Sequence, residues 1–232
     1  MASPTHAALA HGDAPPELRH HFPDLAKQRE ASSLGMWVFL VTEVLFFGGM
    51  FLAYAIYRET HRRAFEGASN LLDLKLGATN TIVLIVSSLT MALAVWASGR
   101  SRKNATVLFL ILTMLLGATF LGIKYVEYKQ KFDRHEVPGP HFVVPQDEET
   151  HQPLPRQSEM FFSLYFCMTG LHAIHMIIGL GLVSWLVVRA RRGEFSERYN
   201  TPVDMVGLYW HFVDIIWIYL FPLLYLLGRH TL

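Results

Sequence analysis

Five apolar runs dominate this chain, at residues 34–57, 79–98, 105–128, 160–188 and 204–228. Each is between 20 and 29 residues long. A helix needs about 20 predominantly apolar residues to cross the hydrocarbon core of a bilayer. One such run can be a signal anchor, but five in series predict an all-α, polytopic membrane protein built as a bundle of five transmembrane helices. A membrane β-barrel would need strands of about 10 residues with strict alternation. A water-soluble enzyme would need a charged surface, and only 17% of the 232 residues are charged, against about 25% in a soluble domain. The formal net charge of +1 gives no reason to expect a nucleic-acid partner.

The segments between the runs are polar. Residues 1–33 carry His6, His11, Pro15, Pro16, His20, His21 and Pro23 and read as a mobile tail whose histidines lack the ordered spacing of a metal site. With no apolar stretch in that tail, the first helix is expected to direct its own insertion. Residues 58–78 are a polar connection with a short interfacial helix expected around 71–76. Residues 99–104 form a tight basic turn. The longest loop, 129–159, holds Pro138, Pro140, Pro145, Pro153, Pro155 and the acidic run Asp147-Glu148-Glu149. Residues 189–203 are basic, with Arg189, Arg191, Arg192 and Arg198. Residues 34–228 thus make a single membrane domain without internal repeats. Lys and Arg are split almost evenly between the two sides. The compact basic turns directly at helix ends favour a cytoplasmic N-terminus, a periplasmic C-terminus and an outward loop 129–159. The single cysteine, Cys167, permits no disulfide framework or thiolate cluster and reads as a small buried hydrophobe. Gly48, Gly49, Gly170, Gly179 and Gly181 are candidates for close helix approach.

Ionisable groups at bilayer depth are costly and therefore point to function. Glu43 sits near the middle of the first run with no neutralising neighbour in sequence, and loss of water favours its uncharged form. It reads as a proton-linked or lipid-contacting carboxyl, or as an acid hydrogen-bonded to a neighbouring helix. His172 and His175 are three apart on the fourth helix, and His211 and Asp214 three apart on the fifth, so each pair shares a face. Helix bundles do hold metals and haem with such residues. Two histidines at i and i+3 cannot reach opposite faces of one haem, and His211 alone offers a second helix. Interhelical hydrogen bonding accounts for the four better, and no metal site is assigned. Lys124 and Glu127, also three apart, can pair or reach the interface. Arg189, Arg191 and Arg192 fit a cytoplasmic helix end, with lipid phosphate as a compatible partner. No phosphate loop, catalytic triad or paired-carboxylate pattern is present, so no catalytic residue is assigned.

Several stretches carry a family resemblance. The first is Leu34-Gly-Met-Trp-Val-Phe-Leu-Val-Thr-Glu-Val-Leu-Phe-Phe-Gly48. Thr79-Asn80-Thr81 with Ser87-Ser88, and Phe120-Leu-Gly-Ile-Lys-Tyr-Val-Glu-Tyr128, follow in order. The most specific are Thr169-Gly-Leu-His-Ala-Ile-His-Met-Ile-Ile-Gly179 and Tyr209-Trp-His-Phe-Val-Asp-Ile-Ile-Trp217. Over residues 32–228 the chain resembles subunit III of haem–copper oxygen reductases, the cytochrome c oxidase subunit 3 family, in its short five-helix bacterial form. The resemblance implies a chain with no haem, copper or catalytic centre of its own. It implies packing on the catalytic subunit I of a terminal oxidase that also contains subunit II, the haems and copper lying in those partners. It further implies bound phospholipids, support of proton uptake, a bacterial inner-membrane location and a place within reach of a respiratory supercomplex. By the same resemblance Glu43 matches the family's buried reactive carboxyl. His172, His175, His211 and Asp214 match its intramembrane polar positions, and Arg189 and Arg192 match basic residues on lipid phosphate.

Cytochrome c oxidase is the expected complex, with a quinol oxidase or a nitric oxide reductase-associated homologue as alternatives. Two readings of another class stay open on the residues alone. One is a b-type membrane cytochrome using His172 or His175 with His211. The other is a proton-coupled transporter around Glu43 and Asp214, against which stands the lack of repeated halves.

Overall fold

The computed structural model describes residues 18–140, 142–146 and 152–226. Its helices are α1 (Leu25–Thr60), α2 (Arg62–Asn70), α3 (Leu74–Ser98), α4 (Lys103–Asp133), α5 (Ser158–Arg192) and α6 (Thr201–Phe221), and α6 runs on into one π-helical turn, Pro222–Leu226. All but α2 are long and apolar enough to cross a membrane, so the fold is the all-α, five-span bundle the apolar runs predict. His6, His11, Pro15, Pro16, the acidic run Asp147-Glu148-Glu149 and residues 227–228 lie outside the described residues.

The helices overrun the apolar runs, and capping explains where they begin and end. The α1 helix opens at Leu25, within the stretch expected to be tail, because the Asp24 carboxylate accepts the backbone N–H of Lys27 at 2.7 Å and satisfies one of the orphan donors of the first turn. The short helix lies at Arg62–Asn70 rather than at 71–76. Its buried face is Ala64, Phe65 and Ala68, while an Arg62–Glu66 ion pair at 2.9 Å runs along its outside. Residues 74–76 instead form the first turn of α3, since Asp73 Oδ1 accepts the N–H groups of Lys75 and Leu76. The α4 helix extends to Asp133, which shortens the long loop to residues 134–157. The described part of that loop turns back on itself, with Leu154 N–H on Pro145 C=O and a bridge between Gln146 and Pro153. The α5 helix stops at Gly193, whose φ of +76° is a left-handed conformation suited to glycine.

Burial is inverted relative to a soluble protein. Leu34, Leu45, Leu52, Ile82, Leu89, Leu115, Ile177 and Ile215 are exposed, while Asn80, Lys124, Glu127, His172 and Asp214 are inside. Such a continuous apolar outer surface needs a hydrocarbon solvent. Helix α6 is central: 56% of its most apolar window is buried, against 11% for α1. It packs on α3, α5 and α1, while α3 and α4 form the most extensive helix pair and α4 also packs on α5. Cys167 is exposed on the outer surface of α5, which corrects the expectation of a buried thiol; its neighbours Tyr165, Met168 and Thr169 take the inward face.

Of the glycines expected to allow close approach, Gly179 does so, while Gly48, Gly49 and Gly181 do not. A methyl group added at Gly48, Gly49 or Gly181 would meet no atom within 4 Å, so these three face open space. Gly179 on α5 and Gly117 on α4, which the sequence reading did not name, flank the Trp210 indole, where an added Cβ would lie 3.1 and 2.8 Å from ring carbons. Trp210 is 1% exposed, so this slot lets the largest side chain of α6 fill the centre of the bundle. At the far end of α6, Pro222 cannot donate a backbone hydrogen bond, and the chain widens into the π turn. Carbonyl oxygens there are taken up from other helices: Tyr54 O–H donates to Leu223 C=O at 2.8 Å and Ser69 O–H to Leu224 C=O at 2.6 Å.

Candidate functional site

The intramembrane polar residues form three separate groups. Three residues of helix turn by about 300°, leaving i and i+3 about 60° apart, and that offset is enough to send His172 and His175 to different neighbours. His175 faces α1. Its Nε2 lies 3.2 Å from Glu43 Oε2, and its Nδ1 lies 2.8 Å from the Leu171 carbonyl. A carbonyl only accepts, so Nδ1 carries a proton. Nε2 is then the nitrogen that meets the carboxyl, as acceptor from a carboxylic acid or as donor to a carboxylate. The pair is partly shielded, at 15% and 19% side-chain exposure for His175 and Glu43. Phe47 meets the imidazole edge-on at 5.3 Å, and Tyr209 O–H donates to the His175 carbonyl at 2.9 Å, tying α6 to the same turn.

His172 points inward. Its ring lies 5.4 Å from those of Phe120 and Trp217, and neither ring nitrogen has a hydrogen-bond partner among the described residues. It is an imidazole packed beside aromatic rings rather than a ligand in a cluster.

The second group runs along the antiparallel seam of α3 and α6, where hydroxyls of one helix meet ring nitrogens of the other. Trp210 Nε1–H donates to Ser87 Oγ and Trp217 Nε1–H to Thr81 Oγ1, both at 3.1 Å. Ser88 Oγ and His211 Nδ1 are 2.7 Å apart. Asp214, one turn beyond His211, is 3% exposed and lies beside the Ser88 hydroxyl. Ser88, His211 and Asp214 line a lateral cavity of about 390 Å³ whose other walls are apolar. His172, His175, His211 and Asp214 are thus not brought together. Among the described residues no three His, Cys, Asp or Glu side chains are grouped as a metal ion requires.

The third group is only half visible in sequence. Lys124 and Glu127 pair at 2.9 Å with side-chain exposures of 6% and 2%. They do not reach the interface, because two tyrosines from other elements enclose them. Tyr225, in the π turn, accepts from Lys124 Nζ at 2.8 Å and donates to Glu127. Tyr165 on α5 accepts from Lys124 at 3.4 Å and donates to Glu127 at 2.8 Å. Trp217 lays its ring 4.8 Å from the ammonium. Each charge is thereby hydrogen-bonded on several sides, the condition under which a buried ion pair is tolerated. One turn on, Lys131 pairs with buried Glu136 and donates to Leu71 C=O at 3.1 Å. Lys124, Glu127 and Lys131 at spacings of three and four form a polar stripe visible in sequence, and so do Tyr165, Thr169 and His172; Tyr225, beyond Pro222, carries no such signal.

Arg29, the 99–104 turn and the 189–203 connection meet at one end of the bundle. Arg29 pairs with Asp204 at 3.0 Å, and Glu197 N–H donates to Ser101 Oγ, so the start of α1, the α3–α4 turn and the α5–α6 connection lie together. Arg189 is held by the Glu194 carboxylate and stacks over Trp185 at 4.8 Å. Arg192 is exposed.

The sequence matches the family described as cytochrome c oxidase subunit III over residues 25–133 and 140–229. This chain belongs to that family. It is 33% identical over 198 residues to cytochrome c oxidase subunit 3 of Thermostichus vulcanus, covering 84% of this chain and 87% of that one. It is 29% identical to cytochrome c oxidase subunit 3 of Alkalihalophilus pseudofirmus, covering 84% and 86%. It is 26% identical over 225 residues to quinol oxidase subunit 3 of Bacillus subtilis, covering 96% and 97%. The subunit III family thus includes chains named for both donors, and the match spans all five membrane helices of this member.

Proposed function

We propose that this chain is a non-redox subunit of a cytochrome c oxidase in a bacterial inner membrane, packed on the catalytic subunit and supporting its proton uptake and stability. The observation that carries this is the Glu43–His175 pair, which brings an acid and an imidazole together between α1 and α5 at bilayer depth while both residues remain partly open to the outside of the bundle. A group that stores a proton beside a proton-consuming partner fits an accessory role. Haems and copper belong, on this reading, to the partner subunits I and II. The compact basic turns at 99–104 and 189–192, directly at helix ends, support a cytoplasmic N-terminus and a periplasmic C-terminus by the positive-inside rule. They also support phospholipid binding there, with exposed Arg192 rather than Glu194-bound Arg189 as the free phosphate partner.

The test is purification in mild detergent through a tag on this chain, followed by subunit masses and an absorption spectrum. A haem-bearing catalytic subunit is expected to arrive with the tag and to oxidise reduced cytochrome c. Haem remaining on this chain after the partners are stripped away would overturn the proposal in favour of a cytochrome. A quinol oxidase is the second reading, supported by the relative of Bacillus subtilis; turnover with a quinol but not with cytochrome c selects it.

A further inference from the structure

A second cavity, of about 400 Å³, lies between the α2–α3 connection and the C-terminal end of α4. That volume falls within the range of about 300–1,000 Å³ typical of small-ligand sites. The α3 helix is 25 residues long, so at 1.5 Å per residue its start lies about 37 Å from the basic 99–104 turn. The hydrocarbon core of a bilayer is about 30 Å thick, which puts the two ends of α3 at opposite headgroup layers. Both walls of the cavity change from apolar span to polar connection at this level. The run 79–98 begins just after one wall, and the run 105–128 ends within the other. The cavity therefore opens at the headgroup layer on the side away from the basic turns.

Its charges can be accounted for one by one. Glu127, buried at the inner end, is neutralised by Lys124 and receives the Tyr165 and Tyr225 hydroxyls. Lys131, also buried, is neutralised by Glu136 and donates to the Leu71 carbonyl. Asp73 has one oxygen engaged by the N–H groups of Lys75 and Leu76. That leaves Lys75 on one wall and Arg134 on the other. Both are exposed, and neither is in an ion pair among the described residues. Two cations against the single carboxylate of Asp73 give the mouth an excess of positive charge. The start of α3, which forms part of the same wall, adds the positive end of a helix dipole.

A guanidinium and an ammonium on facing walls are the donor set that holds a phosphate, the first as a two-pronged fork and the second as a point charge. We propose that this cavity is a phosphate-binding site in which Lys75 and Arg134 hold the phosphate group from opposite walls. A phospholipid of that leaflet and a soluble phosphate ester both offer this chemistry. The site lies across the membrane from Arg192, and it does not depend on which oxidase the chain serves.

The experiment uses the tagged chain with its co-purified partners, stripped of lipid in dodecyl maltoside micelles, which carry no phosphate. A phospholipid bearing a photoreactive arylazide on its headgroup is added, and irradiation is followed by peptide mass spectrometry. The expected result is an adduct within residues 70–75 or 127–134. Phosphatidylglycerol should compete it away, and diacylglycerol, which lacks the phosphate, should not. Suppression by glycerol phosphate as well supports the site and identifies a soluble ester as its ligand; suppression by phosphatidylglycerol alone identifies the lipid. Lys75→Gln combined with Arg134→Gln should lower the adduct yield about tenfold, the loss of two cations at the membrane surface. Lys75→Arg combined with Arg134→Lys keeps both charges and should retain it. Labelling found only elsewhere on the chain overturns the proposal. So does competition by diacylglycerol equal to that by phosphatidylglycerol, or a double glutamine variant that labels as strongly as the parent.

Discussion

Glu43 and His175 meet across the α1–α5 interface, carboxyl oxygen to imidazole Nε2, at 3.2 Å. A third group sets this arrangement: the Leu171 carbonyl claims Nδ1 at 2.8 Å, so Nε2 is the imidazole nitrogen left to face the carboxyl. Among the described carboxyl groups, this one combines an interhelical histidine partner with 19% exposure on the apolar side of the bundle.

That combination predicts selective chemistry. A hydrophobic carbodiimide reaches its target through the bilayer and reacts with a protonated acid. Glu43 should be modified in preference to Glu127, which is enclosed at 2% exposure, and to the water-facing acids. Mass spectrometry of the α1 and α4 peptides reads the result; modification confined to loop acids such as Glu159 would contradict it.

The Lys124–Glu127 cluster predicts a strong departure from additivity. Lys124→Met leaves the Glu127 carboxylate buried without its cation, and Glu127→Leu leaves the ammonium. Each single change should cost about 3–5 kcal/mol, whereas the double change removes both charges and should cost much less than the two together. Thermal unfolding of the purified complex, followed through this subunit, measures all three. Additive losses would mean that the pair is not coupled.

The five spans are legible in sequence because apolar length alone decides them. Their ends are not, since Asp24 and Asp73 cap helices whose first turns are polar or ambiguous, and hydropathy does not register a cap. Glu43 is legible as an intramembrane acid, but its partner is not, because His175 reaches it only through the packing of α5 on α1. The i,i+3 spacing brings His172 and His175 onto one broad face, yet the 60° between them decides that one meets an acid and the other two aromatic rings. Tyr165 and Tyr225 escape a sequence reading as members of the Lys124 site for the same reason: the residues that make a buried charge tolerable come from distant parts of the chain.

The Trp210 slot separates glycines that pack from glycines that do not. Gly117→Ala forces a methyl group to 2.8 Å from the indole, between residues that are themselves fixed. It should destabilise the subunit by about 1–3 kcal/mol. Gly181→Ala, with nothing within 4 Å, should be neutral or slightly stabilising, because alanine is the better helix former. Unfolding midpoints of the two variants in the same detergent compare them directly; equal losses would show that Trp210 can move aside.

Glu43→Gln tests what the acid of the Glu43–His175 pair does. The glutamine amide can still donate to His175 Nε2, so the α1–α5 contact survives, but the side chain no longer offers an acid proton to exchange. The variant should therefore assemble with full haem content and begin oxygen reduction at the unaltered rate, since no electron passes through this chain on the function proposed. Its deficit should emerge over many turnovers and at higher pH, where protons are scarce and a local store matters most. His175→Phe removes the partner and leaves the acid, so it should share the deficit in sustained turnover and also weaken the α1 contact. Oxygen consumption followed to exhaustion, together with haem content before and after, distinguishes these outcomes. Loss of haem in Glu43→Gln would show that the residue holds the complex together, and progress curves identical to the parent's would show that its proton serves only packing.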